Sequence, residues 1–310
     1  MVIENSSQSR KTGESRRFSY IYPCLGGLDL GYVRVAGPGL GNLLFPWARA
    51  RVTCREEGLK CVWPAWPSLK LGPFLPWRAS FGSVRSYGSL FRCNSDYAQG
   101  TEKLNALATL CGRRYQNSPS PGKGGGAKTF VVSGFGGMFT ELEGWNGVLR
   151  SDLLAITRPD LRANVRGDGE FVGVHVRRGD FGAVDEDRLR EGGSNLRVPI
   201  RWFLEAIRSV RRRYGYSLEA RVFTDGCRGE LEELLDEPNV SLMTGGTALE
   251  DLLSMANSRV LIGSSVFSMW ACFLGEIPSV WYPGQKPNTF SGATFRRAAE
   301  WEYGEELRFP

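Results

Sequence analysis

The second half of the chain alternates short apolar runs with amphipathic stretches. The apolar runs have the length of buried strands, and we predict strands over 171–176, 218–224, 239–243, 259–263 and 277–282. Helices are predicted between them, over 199–214, 228–235, 247–256 and 266–274. Pro199 suits a first helical turn, and Thr247 with Glu250 has the spacing of a capping box. This alternation favours a parallel sheet that is covered by helices on both faces.

The first half carries a weaker pattern. Gly31–Ala36 has the composition of a strand, Gly37–Asn42 that of a tight loop, and a helix is predicted from there to Glu57. Phe130–Phe139 indicates a further strand and turn. A length of 310 residues fits about two domains, so we expect a second α/β domain here, with the boundary near Leu161–Gly169.

Three further segments lack such a pattern. Residues 1–18 are polar and have no apolar stretch, so we expect a disordered tail and not a secretory signal. The glycine-rich segment 117–128 lacks the residue order of a phosphate-binding P-loop, which favours a flexible surface loop. For the C-terminal segment, 286–310, we expect a helix that returns to the N-terminal domain.

Composition narrows the class of protein. Hydrophobic residues make up 42% of the chain, as in soluble globular proteins, and the longest apolar run, Met269–Leu274, is too short to span a membrane. We therefore expect a cytoplasmic protein. The net charge of +6, carried mostly by arginine, favours nucleic acid, nucleotides or a peripheral contact with an anionic membrane face. Genomic base composition is the simpler explanation for so many arginines.

The cysteines and the histidine argue against a metal site. The chain has seven cysteines, with no Cys-x-x-Cys, and a single histidine. This composition does not fit a Cys/His zinc site, and we expect mostly buried thiols in a reducing compartment. The sequence does not indicate an oligomeric state.

Polar residues follow several of the predicted strands in the second half. His175–Asp180 ends one strand, Thr224 and Asp225 end the next, and Ser264 with Ser265 separates a strand from a helix. In an open parallel sheet, ligands bind outside the carboxyl ends of the strands. We therefore expect these clusters to lie along one edge of the sheet.

The chemistry of the clusters is complementary. Arg177 and Arg178 can neutralise a pair of phosphates, and a serine-rich helix start favours anions. Asp225 can accept a hydrogen bond from a sugar hydroxyl or a base amino group. Taken singly, each cluster has a simpler explanation: surface charge, a helix cap, a turn residue, or, for His175, a core histidine. Their common edge makes a nucleotide diphosphate site the better interpretation.

A fourth cluster lies in the first half. Gly39, Gly41 and Asn42 form a predicted strand-to-helix turn, where glycine allows the backbone to approach a ligand closely. The turn lacks the Gly-x-Gly-x-x-Gly pattern of dinucleotide-binding proteins, since position 44 is leucine. This disfavours an NAD or FAD enzyme.

These motifs, in this order, resemble the α-1,2-fucosyltransferases, within the fucosyltransferases of GT-B fold. His175–Asp180 (HVRRGD) is similar to the family's HxRRGD motif at every defined position. The other similarities are weaker. Gly39–Ala48 (GLGNLLFPWA) resembles the family's first motif, and Val222–Asp225 resembles a strand end with the sequence FSDD. Asp251–Met255 together with Ser264–Trp270 resembles a DL…M…SSFSWW block, and Ser133–Phe135 resembles a GYFQ turn.

The resemblance implies an architecture and an activity. Two Rossmann-like α/β domains would face each other across a cleft, with the acceptor side over 19–165 and the nucleotide-sugar-binding domain over 166–285. The implied reaction is an inverting transfer of fucose from GDP-fucose to a glycan hydroxyl, without a metal ion or another cofactor. The implied partners are a GDP-sugar and a glycan acceptor, and not nucleic acid.

The resemblance also implies roles for individual residues. Arg177 would bind the β-phosphate, with His175 and Arg178 shaping the same pocket. Asn42 would face the sugar between the domains. The candidate catalytic residues are Arg177, His175 and Asp180, and the candidate donor-binding residues are Arg177, Arg178, Thr224, Asp225, Ser264, Ser265, Ser268, Gly39, Gly41 and Asn42.

Several positions depart from the family pattern. Leu43 and Pro46 replace glutamines of the first motif, Gly226 replaces an aspartate, and Met269 replaces a tryptophan. Gly136 or Gly137 stands where the family has glutamine. These departures bear on the acceptor, and on the sugar, more than on the diphosphate site.

The general base is left open by the sequence. Asp180 and the acidic run 185–187 are the candidates, although Asp180 is better placed to pair with the arginines, and the run has the composition of a solvated loop. His175 is the only histidine, so a pH–rate step near pH 6.5 would be expected to come from it.

Other functions stay open at this point. A non-catalytic sugar-nucleotide-binding protein would fit the missing glutamines, and a GT-B glycosyltransferase with a different donor would fit the same fold. A nucleic-acid binder would use the arginines at 208 and 211–213, but these lie at a helix C-terminus, where cations complement the dipole.

Overall fold

The computed structural model describes residues 20–69, 86–115, 129–165, 169–286 and 297–310. The predicted tail over 1–18 and the predicted loop over 117–128 lie outside the described residues. We call 20–165 the first half and 169–310 the second half. The domain boundaries themselves stay predictions.

The described residues form a mixed α/β structure, which confirms the predicted fold class. Its helices are α1 (Leu40–Glu57), α2 (Gly100–Ala108), α3 (Asn146–Ile156), α4 (Pro159–Ala163), α5 (Glu186–Arg190), α6 (Ile200–Tyr214), α7 (Glu232–Leu235), α8 (Ala248–Met255) and α9 (Val266–Gly275). Its strands are β1 (Tyr20–Cys24), β2 (Leu28–Asp29), β3 (Arg34–Val35), β4 (Lys60–Val62), β5 (Ser68–Leu69), β6 (Tyr97–Ala98), β7 (Leu110–Tyr115), β8 (Thr129–Ser133), β9 (Phe171–Val176), β10 (Glu219–Thr224), β11 (Val240–Leu242), β12 (Val260–Gly263), β13 (Ser279–Trp281) and β14 (Ala298–Glu300).

The sheet of the second half follows the predicted pattern closely. Its order is β11-β10-β9-β12-β13-β14 and all its pairs are parallel. The central strand β9 is buried at every position, as its unbroken apolar run requires. The capping box between Thr247 and Glu250 is present at the start of α8. The strand and helix predictions for 171–282 are confirmed to within a few residues at each end.

The sheet of the first half is also parallel, in the order β6-β4-β1-β8-β7. Its central strand β1 was not predicted. The predicted strand Gly31–Ala36 is reduced to β3, which pairs with β2 and β5 in a small separate sheet. Gly31 and Ala36 both have positive φ angles, so the extended backbone ends at each side of this short strand. The helix prediction to Glu57 is confirmed by α1.

The end of the chain differs from its prediction. In the described part of 286–310, residues 298–300 form a strand, β14, at the edge of the second sheet, and not a helix that returns to the first half. Trp301 and Leu307 are buried in the core of the second half. Burial of these two side chains explains why the segment stays with the second sheet.

The two halves share a continuous core at one junction. Phe45 of α1 and Phe139 of the first half pack against Trp270 of α9, with ring centroids 4.9 Å apart in both pairs. At the start of α1, a Cβ placed on Gly41 would lie 3.3 Å from the Cα of Phe267 in α9. We call this contact between the first turns of α1 and α9 the seam. Since α1 and α9 each begin beyond the carboxyl ends of their own sheets, the seam brings the two carboxyl edges together.

The arginines of α6 are engaged within the protein. Arg208 pairs with Glu205 and Glu237. Arg211 is buried and donates hydrogen bonds to the carbonyl oxygens of Leu218 and Asn239. These contacts account for two of the arginines that motivated a nucleic-acid-binding interpretation. Over the described residues, none of the helices has the length and apolar character that a membrane crossing requires.

Candidate active site

Three adjacent strands bring the predicted polar clusters to one edge. β9 lies between β10 and β12, and its residue His175 is in register with Phe223 of β10. All three strands are parallel, so the segments that follow them leave the sheet side by side. The structure therefore places Arg177, Asp225 and Ser264 at the same carboxyl edge.

Arg177 is held at this edge by carboxylates and by an aromatic ring. Its guanidinium donates to Asp180 Oδ1 at 2.6 Å and to Asp225 Oδ2. The same guanidinium lies 5.2 Å from the ring centroid of Phe181. The side chain keeps 25% of its surface exposed. Arg177 is thus fixed in position while one side of it is open to a ligand.

Asp225 connects the ends of β9 and β10. Its Oδ1 accepts hydrogen bonds from the backbone N–H groups of Arg178 (2.8 Å) and Gly179 (3.1 Å), and its Oδ2 accepts from Arg177. A Cβ on Gly179 would overlap with this carboxylate, so glycine is needed there. Asp225 therefore uses its acceptors on the protein. The prediction from the sequence was that Asp225 accepts a hydrogen bond from a sugar hydroxyl or a base amino group.

Arg178 is buried. Its Nη1 donates to the carbonyl oxygen of Val198 at 2.9 Å, and burial lowers the pKa of its guanidinium. A Cβ on Gly226 would lie 2.6 Å from the Cβ of Arg178. The departure from the family pattern at Gly226 is explained by this contact, because a larger residue there would displace Arg178.

His175 joins β9 to the start of α9. Its Nδ1 lies 2.8 Å from Ser268 Oγ, which accepts hydrogen bonds from the backbone N–H groups of Ser264 and Ser265. We assign the hydroxyl hydrogen of Ser268 to Nδ1, which places the imidazole proton on Nε2. Burial, and then the charge of Arg177, lower the pKa of His175 to about 4. The expected titration of His175 near pH 6.5 is corrected by this environment, which keeps the imidazole neutral at pH 7.

The serine and threonine hydroxyls of the edge are used mainly inside the protein. Ser264 Oγ donates to the carbonyl oxygen of His175 at 2.7 Å, and Thr224 Oγ1 donates to that of Val176 at 2.7 Å. Ser265 Oγ caps α9 by accepting from the N–H of Phe267. Its contact with His175 Nδ1 is long, at 3.4 Å. Among these hydroxyls, that of Ser265 is the one whose hydrogen is most available to a ligand.

The predicted Gly39–Asn42 turn lies across the seam from this edge. Gly39 precedes α1 in an extended conformation, and a Cβ there would meet nothing within 4 Å. Among the described residues, the side-chain amide of Asn42 makes no hydrogen bond. Leu43 and Pro46, which replace glutamines of the family motif, are buried in the core. Gly39 is therefore unobstructed and the amide of Asn42 is left without a described partner, whereas Gly41 packs against α9 in the seam and the departing residues lie in the core.

A carboxylate that sequence reasoning gave no role lies at the same edge. Asp251 is in the first turn of α8, which follows β11. Burial, together with the nearby charge of Glu250, raises its pKa to about 6. Its carboxylate makes no hydrogen bond to the residues that the structure describes. An acidic residue directly after a capping box, at a helix start that follows a strand of the parallel sheet, was the available signal.

Comparison with known proteins agrees with this geometry. Residues 147–298 match the model of glycosyl transferase family 11. The matched region begins in α3 and includes the carboxyl edge that carries Arg177, Asp225 and Ser264. This match confirms the resemblance inferred from the motifs. A search of curated protein sequences finds no match.

Solved structures of low sequence identity share the fold. The fucosyltransferase NodZ from Bradyrhizobium superposes with a TM-score of 0.54 at 15% identity, over 87% of this chain and 97% of that chain. A structure of NodZ alpha-1,6-fucosyltransferase soaked with GDP-fucose gives a TM-score of 0.52 at 15% identity, over 88% and 97%. The predicted GT-B-like fold is confirmed by these similarities.

Proposed function

We propose, because residues 147–298 match the model of glycosyl transferase family 11, that the protein transfers fucose from GDP-fucose to a hydroxyl of a glycan. The observation that carries the proposal is the position of Arg177 beside the start of α9. The two groups come from distant segments of the chain, yet the carbonyl oxygen of His175, two residues before Arg177, accepts a hydrogen bond from Ser264 Oγ at 2.7 Å, and its Nδ1 lies 2.8 Å from Ser268 Oγ. A cation and a helix N-terminus at one edge suit a pyrophosphate.

The edge has the groups that the leaving diphosphate needs. When the bond between C1 of the sugar and the β-phosphate oxygen breaks, negative charge develops on that phosphate. Arg177, the N-terminus of α9 and the hydroxyl of Ser265 would stabilise this charge. Asp180, Asp225 and Phe181 hold the guanidinium before the ligand binds, so little reorganisation is required during the reaction.

Asp251 supplies a basis for nucleobase selection. A carboxylate can accept two parallel N–H bonds, as it does from arginine, and guanine presents such a pair in its ring N–H and its amino group. Uracil has no second donor beside its ring N–H. We assign Asp251 to the base because it shares the edge with Arg177 and has no described hydrogen-bond partner.

The acceptor side is assigned to the first half. Asn42 and the unobstructed Gly39 of its turn would approach the sugar from across the seam. An acceptor hydroxyl that attacks C1 from the face opposite the diphosphate gives inversion, and the motif resemblance supports the 2-hydroxyl as the position of transfer. Because Asp180 pairs with Arg177, we assign it to positioning and name no general base.

Independence from a metal ion is part of the proposal. The partly exposed guanidinium of Arg177 and the N-terminus of α9 would supply positive charge of the kind that a divalent cation supplies in other transferases. Full activity in the presence of EDTA is the expected result. A cytoplasmic location and a peripheral contact with an anionic membrane stay predictions.

A donor panel tests the proposed function. The purified protein is incubated with GDP-fucose, GDP-mannose and UDP-sugars over a panel of glycans, and released nucleotide is measured with and without acceptor. Release of GDP from GDP-fucose, with a fucosylated product whose linkage is then determined by NMR, is expected. Preference for another donor would replace fucose in the proposal, and GDP binding without any release would indicate a non-catalytic sugar-nucleotide-binding protein.

A further inference from the structure

An exposed aromatic side chain lies beside the seam on the first-half edge. Phe135 follows β8 by two residues, at the carboxyl end of the first sheet, and 48% of its surface is exposed. Its ring centroid is 6.1 Å from that of Phe45, in an edge-on arrangement. Phe45 in turn packs against Trp270 of α9. Phe135 is therefore the outer member of the aromatic group that joins the two halves.

The turn that carries Phe135 is held rigidly from below. Arg49 of α1 donates to the carbonyl oxygen of Ser133 at 3.2 Å and pairs with Glu141 at 2.7 Å. A Cβ on Gly136 would lie 3.0 Å from the guanidinium of Arg49, so the glycine leaves room for that group. The backbone N–H of Met138 closes the turn on the carbonyl oxygen of Phe135 at 2.8 Å. An exposed phenyl ring on a fixed turn is a surface prepared for a ligand.

We infer that Phe135 is the stacking platform for the acceptor sugar, whose pyranose ring lays its face of C–H bonds against the phenyl ring. A hydrophobic ring that is half exposed gains stability when a flat apolar surface covers it. Its place on the first-half edge, across the seam from Arg177, puts the platform opposite the donor phosphates. That the bound sugar is the acceptor rests on the proposed function. The binding of a pyranose to Phe135 can be measured without catalysis.

The aromatic ring accounts for one departure from the family pattern. Gly136, one of the two glycines that stand where the family has glutamine, places no polar side chain next to Phe135 and admits Arg49 beneath the turn. The first-half edge thus recognises the sugar by an apolar face and by the amide of Asn42. A pyranoside with one uninterrupted face of C–H bonds is the class of acceptor that fits.

The experiment is saturation-transfer NMR with methyl glycosides of galactose, N-acetylglucosamine and fucose, with and without GDP. Parent protein, Phe135→Ala, Phe135→Trp and Tyr216→Ala are compared. Tyr216 is the matched control, because it is an exposed aromatic residue (75%) next to the amino end of β10. We expect the parent to bind at least one glycoside through the C–H protons of one face, Phe135→Ala to bind about tenfold more weakly, and Phe135→Trp and Tyr216→Ala to bind as the parent does.

The outcomes separate this inference from the proposed function. Equal binding by Phe135→Ala and the parent, or no binding of any of these glycosides by the parent, overturns the inference. Thermal stabilisation by GDP is recorded for each variant in the same experiment. If GDP fails to stabilise the parent, the proposed function is wrong, whereas the glycoside measurements still decide whether Phe135 binds a sugar.

Discussion

The two carboxyl edges that meet at the seam are built in opposite ways. On the second-half edge, Arg177 and the backbone N–H of Arg178 donate hydrogen bonds to Asp225, and His175 is held by the hydroxyl of Ser268. On the first-half edge, Asn42 has no described hydrogen bond for its amide, and Phe135 is half exposed. Fixed polar groups suit a ligand of constant shape, such as a nucleotide diphosphate. Open groups suit the proposed acceptor, which they can contact without giving up bonds within the protein.

The difference between the two edges is tested first by removing the cation of the second-half edge, Arg177. Arg177→Ala is expected to lower the rate of transfer by at least about a hundredfold, since a single prepared donor at a developing oxyanion contributes roughly 2.7–4 kcal/mol. The rate is measured at saturating donor and acceptor. Arg158→Ala is the control, because Arg158 is exposed and pairs with Asp160 outside the edge. Transfer by Arg177→Ala at the parent rate would remove Arg177 from the mechanism.

The pH dependence of stability tests whether the edge is fixed by a neutral histidine. The pKa of His175 is about 4 in the folded protein, against its usual 6.5 in the unfolded chain. Between these values only the unfolded chain takes up the proton, so stability is lost as the pH falls from 6.5 to 4, by up to about 3 kcal/mol. Asp251 acts in the opposite sense, because its pKa is raised to about 6 and its contribution is lost as the pH rises.

The contribution of His175 is isolated by a difference measurement. Urea unfolding of the parent and of His175→Gln is compared from pH 7 to pH 4. The stability advantage of the parent is expected to shrink as the pH falls. An advantage that stays constant over this range would mean that His175 is not held in its neutral form.

Asp225→Ala tests how the segment after β9, which carries Arg177 and Arg178, is held in position. Removal of the carboxylate leaves the N–H groups of Arg178 and Gly179 without their acceptor and frees Arg177, at a cost of about 1–3 kcal/mol. We expect GDP to bind about ten- to a hundredfold more weakly, as measured by calorimetry, with Asp225→Asn intermediate. Unchanged affinity in Asp225→Ala would show that this segment holds its shape by other means.

The seam is tested by a substitution that separates the halves. Gly41→Val places methyl groups against the backbone of Phe267, and we expect transfer to fall about tenfold while GDP affinity changes less than twofold. Gly147→Val is the matched control, since Gly147 occupies the same second helical position in α3, and a Cβ there meets nothing within 4 Å. Equal effects of the two substitutions would indicate a cost of valine in a helix and not of the seam.

The second half was predictable because its patterns are strong. β9 is a continuous apolar run and Thr247 begins α8 with a capping box, so local signals agreed with the fold. The same signals placed Arg177, Asp225 and Ser264 at one edge. They could not show that the carboxylate of Asp225 accepts hydrogen bonds from the backbone after β9, because that depends on the register between β9 and β10.

The first half was less predictable for physical reasons. The central strand β1 is short and contains Pro23, which weakens its pattern. The small sheet of β2, β3 and β5 has strands of two residues, too short to show periodicity. In the second half, the edge strand β14 was also not predicted, because it depends on burial of Trp301 in a core made by distant segments. Such contacts are tertiary, and no local signal marks them.

Nucleotide selectivity tests the central claim most directly. Thermal unfolding is followed with GDP, UDP, or no ligand, at concentrations up to about 100 times the Kd for GDP, where binding adds roughly 2.7 kcal/mol of stability. We expect that GDP raises the Tm, that UDP does not, and that Arg177→Ala loses most of the effect of GDP. Equal stabilisation by UDP, or no stabilisation by either nucleotide, would contradict this claim.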